Sequence, residues 1–180
     1  MKHHLNALLA SIGFCALAAC SPTFNWRDTP VGPNGLVALL PCKPDRATRE
    51  WPMGAERVAV DMAGCEAGGA TFAVAHVQAT DMAQAEAWLR AWRAAFRTQL
   101  GNAADIREAP AQVPRASLSP AAVRVDAGPA AGGNGPADGT HVMWFAQSRS
   151  GKVALYQATV IGSPSSAEAL ATFFEGLHLP

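Results

Sequence analysis

The spacing of apolar positions changes along the chain, and each change marks a different kind of element. Leu36 to Leu40 is a short apolar run ended by Pro41-Cys42-Lys43-Pro44, the pattern of a buried strand entering a turn. Ala47 to Trp51 and Arg57 to Met62 follow, the second setting Val58, Val60 and Met62 against Arg57, Ala59 and Asp61. This period of two predicts a hairpin closed at Pro52-Met53-Gly54. Gly64, Gly68 and Gly69 then announce a turn before Ala70 to Gln78, where Phe72 and Val74 share a face, giving a meander of three or four strands.

From Asp81 the period becomes helical. Ala85, Trp88, Leu89, Trp92, Ala95, Phe96 and Leu100 recur on one side, with Glu86, Arg90, Arg93 and Arg97 on the other. Asp81 with Gln84 forms a capping-box pattern and Gly101 a stop. Trp88, Trp92 and Phe96 invite reading as an aromatic ligand box, but a stripe at this spacing is the core face of a helix packed on a sheet.

Beyond Gly101, prolines at 110, 114 and 120 punctuate short segments that read as edge strands near Asp105 to Glu108 and Ala122 to Val125. Gly128 to Gly139 reads as a flexible surface loop. It lacks the G-x-x-x-x-G-K-S/T and dinucleotide spacings that cradle phosphate. His141 to Gln147 and Val153 to Ile161 form a second strand pair turning at Ser148-Arg149-Ser150-Gly151. A last helix is predicted from Ser163-Pro164, with Ser165 and Glu168 as a second capping box and Leu170, Phe174 and Leu177 on one face, docked on the same sheet. The order of elements gives an α+β domain, an antiparallel β-sheet packed against a long central helix and a C-terminal helix.

The N-terminus changes the picture of where this domain resides. Met1 and Lys2 precede an apolar run from Leu5 to Leu17, which closes at Leu17-Ala18-Ala19-Cys20. The run falls short of the roughly 20 apolar residues of a spanning helix and is interrupted by Asn6, Ser11 and Gly13. Leu17 to Cys20 resembles a bacterial lipobox. The resemblance implies removal of residues 1–19 as a signal peptide, diacylglycerol on the Cys20 thiol, and durable anchoring by two or three acyl chains such as palmitate. Cys15 is the other candidate, but Phe14 is bulky where a small residue is needed. Ser21 stands where inner-membrane lipoproteins carry an aspartate, so the resemblance favours the outer membrane.

Residues 20–35, with Pro22, Pro30, Gly32, Pro33 and Gly35, read as a lipidated tether, and Trp26 as packed on the body rather than seated among headgroups. Residues 36–180 then form one domain with room for a real core.

Cysteine arithmetic follows from the signal. Of four cysteines, Cys15 is removed and Cys20 acylated, leaving Cys42 and Cys65. In an oxidising envelope these read as one disulfide, with free thiols or zinc as rivals. No C-x-x-C pair occurs, and His76, His141 and His178 are scattered without ligand spacing.

The formal charge of zero provides no footprint for nucleic acid. No nucleophile elbow is present; Gly162-Ser163-Pro164-Ser165 comes nearest, and its proline suits a helix start. Among Asp61, Glu66, Asp81 and Glu108, spacing selects no acid/base pair, and Arg90, Arg93 and Arg97 read as an exposed helix face.

The opening Leu36 to Pro44, the central amphipathic helix and the ending Leu155 to Val160 followed by Phe173-Phe174 are similar to PsbP-like domains. That resemblance implies a non-enzymatic α+β module acting as an accessory or binding subunit; the residues themselves suggest no cofactor or metal. The chain departs from the pattern in its turn cysteine and its late Gly-rich loop. Together these readings predict an outer-membrane lipoprotein, held by its N-terminal lipid and facing the periplasm, that binds another envelope protein. A carrier of a small apolar ligand held between helix and sheet is the alternative, and a hydrolase the third.

Overall fold

The computed structural model describes residues 22–101, 105–129 and 139–180. Its strands are β1 (Arg27–Val31), β2 (Leu36–Leu40), β3 (Asp45–Met53), β4 (Glu56–Ala67), β5 (Ala70–Ala79), β6 (Arg107–Pro110), β7 (Val123–Ala127), β8 (Thr140–Arg149), β9 (Lys152–Gly162) and β10 (Leu177–His178). Two helices, α1 (Met82–Leu100) and α2 (Ala167–Glu175), complete it. Seven strands form one antiparallel sheet in the order β3-β4-β5-β9-β8-β7-β6, and β1-β2-β10 form a smaller one. Of the described residues 50% are strand and 19% helix, so the α+β class holds, in a form richer in sheet than the expected arrangement around a long central helix.

The central strands of the large sheet are buried on both faces, and alternation along them decides what each face meets. On β5, Phe72 and Val74 join the core beneath the small sheet and α2, whereas Val77 and Ala79 join the core beneath α1. On β9, Tyr156, Ala158 and Val160 face the first core and Val153 and Leu155 the second. Such two-sided burial explains the nearly continuous apolar run of β8 from Val142 to Ala146. The helices therefore sit on opposite faces of the large sheet.

The ends of α1 form as its sequence dictates. Asp81 Oδ1 accepts from Gln84 N at 2.9 Å, and Gln84 Oε1 accepts in return from Thr80 N at 2.8 Å. Gly101, at φ 55°, closes the helix by donating to Thr98 O at 3.2 Å. Ala85, Trp88, Leu89, Trp92, Phe96 and Leu100 are buried, so the aromatic stripe is core.

Other elements depart from the sequence expectations. β2 does not join the meander, which is β3-β4-β5 alone. With Leu36, Ala38 and Leu40 fully buried, β2 pairs instead with β1 and β10 over the large sheet. Part of the expected tether is structured: β1 lies within it, and Phe24 and Trp26 pack edge-on to Phe72 at centroid distances of 6.5 and 6.3 Å. The second capping box does not form. Ser165 N donates to Gly68 O at 2.7 Å, and the N-cap is Ser166, without a side-chain bond. The buried residues of α2 are Ala169, Phe173 and Phe174. Leu177 lies beyond the helix in β10, because Gly176 ends α2 against Leu39, where a Cβ would stand 2.4 Å from the Leu39 Cβ.

Cys42 and Cys65 form a disulfide, with S–S 2.07 Å and Cα–Cα 5.9 Å. It ties the turn after β2 to β4, and so couples the two sheets. Cys20 lies outside the described residues, as does 130–138 of the Gly-rich stretch.

Candidate functional site

A single helix cannot cover so broad a sheet. Six inter-strand spacings of about 4.8 Å make the sheet ~29 Å wide, whereas a helix with its side chains spans ~10–12 Å. Beside the C-terminal half of α1 the uncovered surface forms an apolar cleft of about 180 Å³. Its walls are Trp92, Phe96 and Gln99 from α1 and Trp51 from β3; its base is Val60 and Met62 of β4, Ala73 and Ala75 of β5, and Gln157, Thr159 and Ile161 of β9.

The space exists because β5 presents only methyl groups there. Larger residues at Ala73 and Ala75 would fill the gap under Trp92 and Phe96. Ile161, 45% exposed, stands at the rim. No ionisable side chain lines the cleft among the described residues. Gln157 Nε2 donates to Thr159 Oγ1 at 3.0 Å, which leaves Gln157 Oε1 buried without a donor. The Trp51 indole Nε1 is likewise buried without an acceptor. This arrangement can hold an uncharged, flat, mostly apolar group, and its lining supplies no general acid or base.

Other polar groups sit elsewhere. His76 is 3% exposed on the opposite face of the sheet, with neither ring nitrogen hydrogen-bonded and Nδ1 3.9 Å from Asp61 Oδ2. Gly32, at φ 67°, closes over it so tightly that a Cβ would lie 2.6 Å from the imidazole Cγ. Burial holds the His76 pKa below its ordinary value against the opposing charge of Asp61. Its neighbour Tyr156, ring centroid 5.2 Å away, is pushed up to about 12 by burial, with Arg149 opposing. On another strand pair, His141 Nδ1 lies 2.6 Å from Asp126 Oδ1, and Arg124, which also bonds Asp126, stacks 4.3 Å above Phe174. That chain fastens α2 to β7.

The carboxylates considered for acid/base work are dispersed among separate tasks. Asp81 caps α1, Asp61 accepts from Thr48 Oγ1 at 2.6 Å, Glu108 binds Arg93 and Arg97, and Glu66 follows the bridged Cys65. Arg93 and Arg97 thus clamp β6 to α1, and the Arg93 guanidinium also lies 5.9 Å from the Trp144 ring centre. No cluster of three metal-ligating side chains occurs among the described residues, where His76, His141 and His178 are apart. No described helix is long and apolar enough to cross a membrane.

Sequence reasoning placed Trp92 and Phe96 in the core and carried a ligand between helix and sheet as an alternative, but it did not find the residues that build the cleft with them. Trp51, Met62, Gln157 and Thr159, among others, come from strands distant in sequence. The one local signal was the polar pair Gln157 and Thr159 on the face that β9 turns towards α1. No known protein family matches the chain, and no curated protein resembles it in sequence closely enough to be called related.

Proposed function

We propose that this protein is an outer-membrane lipoprotein, anchored through lipid on Cys20, whose PsbP-like α+β domain is a non-enzymatic binding module for another envelope component. The observation that carries the binding reading is the uncharged apolar cleft between α1 and the large sheet. Its aromatic walls suit holding a guest, and its side chains offer no proton-transfer group with which to transform one. The lipobox-like Leu17 to Cys20 supports anchoring, and the Cys42–Cys65 bridge fits an oxidising compartment. With Phe24 already packed on the core, the domain stands only a few residues from its lipid and works close to the membrane.

The cleft also favours the second reading, a carrier of a small apolar ligand, because its volume suits a molecule better than a protein segment. One experiment separates them. A photoreactive residue at Ile161, on the rim, is activated in intact cells and its adducts are weighed by mass spectrometry. A discrete protein adduct supports the accessory module, and a small-molecule adduct supports the carrier. In the same cells Cys20→Ser should lose its acyl mass and accumulate as uncleaved precursor; unchanged mass and membrane extraction would remove the anchoring reading.

A further inference from the structure

We infer that the cleft under Trp92 and Phe96 is a binding site for a neutral aromatic molecule of one substituted ring that carries a hydroxyl or N–H group. The inference rests on the carrier reading and names its ligand class. Four features of the site point the same way.

Volume sets the size. A dry apolar cavity of about 150 Å³ takes up benzene, so 180 Å³ accommodates one ring with small substituents. The aromatic lining favours a ring, because Trp51, Trp92 and Phe96 border the cleft and aromatic groups pack well on one another in offset-stacked or edge-on pairs. The lining sets charge: with no ionisable side chain to pair it, a carboxylate or ammonium entering here would lose its hydration uncompensated. Finally, Gln157 sets the polar group. Its amide N–H is committed to Thr159, and its Oε1 is left as an acceptor without a donor. A ligand hydroxyl or N–H satisfies that oxygen. Leaving such a group unmatched is unfavourable enough to separate otherwise identical ligands by about tenfold in affinity.

p-Cresol, toluene and benzoate form the test set, since the first two differ only in the hydroxyl and the third adds a charge. Each is dialysed to equilibrium against the full lipoprotein in phosphatidylcholine vesicles, with empty vesicles as the reference. p-Cresol should bind saturably at one molecule per chain, toluene about tenfold more weakly, and benzoate no more than to empty vesicles. Ala75→Leu fills the base of the cleft and should abolish p-cresol binding. Gln157→Leu keeps the cleft apolar and should erase the preference for p-cresol over toluene while toluene still binds, which also shows that the variant is folded.

Binding of p-cresol no greater than to empty vesicles overturns the inference, as does a p-cresol preference that survives Gln157→Leu. Equal binding of benzoate overturns the neutral class. A protein adduct from Ile161 in cells without p-cresol binding removes the aromatic ligand and leaves the accessory module. Saturable p-cresol binding without a protein adduct keeps the ligand and removes the module.

Discussion

The two faces of the large sheet are covered by different means, and the difference explains where the molecule is sealed and where it stays open. On one face a second sheet and α2 lie over Phe72, Phe145 and Tyr156, with Phe173 wedged 5.5 Å from Phe72, all fully or nearly fully buried. The small sheet, α2 and the Phe24–Trp26 segment together cover more of this face than one helix can, and the Cys42–Cys65 bridge fastens the two layers at one end. On the other face one helix lies across strands from β3 to β6. It buries its own stripe completely but leaves surface beside it, and where β5 offers alanines that surface becomes a cleft. Breadth of cover, more than hydrophobicity of the strands, decides which face can receive a guest.

The sharpest way to break this comparison is to truncate one large side chain on the sealed face. Phe72→Ala should destabilise the fold by about 3–5 kcal/mol in urea unfolding, because neither sheet can collapse into the gap. A loss below about 1 kcal/mol would show that this face is as loosely filled as the other.

Next in size is the bridge. Replacing Cys42 and Cys65 together by serine should cost about 3 kcal/mol, the chain-entropy value for the sequence separation of 23 residues. The same loss should appear in wild-type protein after reduction, and thiol labelling under denaturing conditions should modify neither cysteine beforehand.

The sealed face also predicts a pH dependence, through His76. His76 binds its proton less readily folded than unfolded, so its contribution to stability is present in full above pH 6.5 and is lost as pH falls from there through its folded pKa. The groups facing it are Asp61 and Tyr156, with Arg149 acting on the latter, and burial outweighs the Asp61 charge. Thermal unfolding across this range should show a fall towards acid that His76→Gln flattens. An unchanged acid limb in the variant would assign the dependence elsewhere.

The smallest expected effects belong to the open face. Ala75→Leu should stabilise by up to about 1 kcal/mol, as cavity-filling changes do, and Arg93→Ala should cost about 1 kcal/mol or less, because Arg97 also holds Glu108. Destabilisation by Ala75→Leu as large as that of Phe72→Ala would mean that the cleft is closed in solution.

How much of this was legible in the chain varies with the range of the interaction involved. α1 was readable to its caps, since Asp81, Gln84 and Gly101 act within one turn of the residues they satisfy. The strand pair β8-β9 and the hairpin β3-β4 were readable because alternation and turn residues are local too, although both β3 and β4 extend further than their periodic cores. The start of α2 was misplaced because Ser165 spends its backbone N–H on Gly68, a partner far away in sequence. β1 went unread within a stretch whose prolines and glycines suggest a tether. Pro30 is tolerated there because β1 is an edge strand, paired only with β2.

By itself the sequence determined the class of the fold and the faces of its principal helix, because both follow from periodicity; it favoured a Cys42–Cys65 bridge over free thiols or zinc, and the structure forms that bridge. Only the tertiary structure decided that the helices lie on opposite faces, that the small sheet seals one of them, and that Trp51, Ala75, Trp92 and Gln157 meet around one cleft. Those facts depend on strand order. β5 and β9 are neighbours although some 80 residues separate them, as Ala75 pairs with Gln157, and no local pattern of apolar and polar positions encodes which distant strands pair.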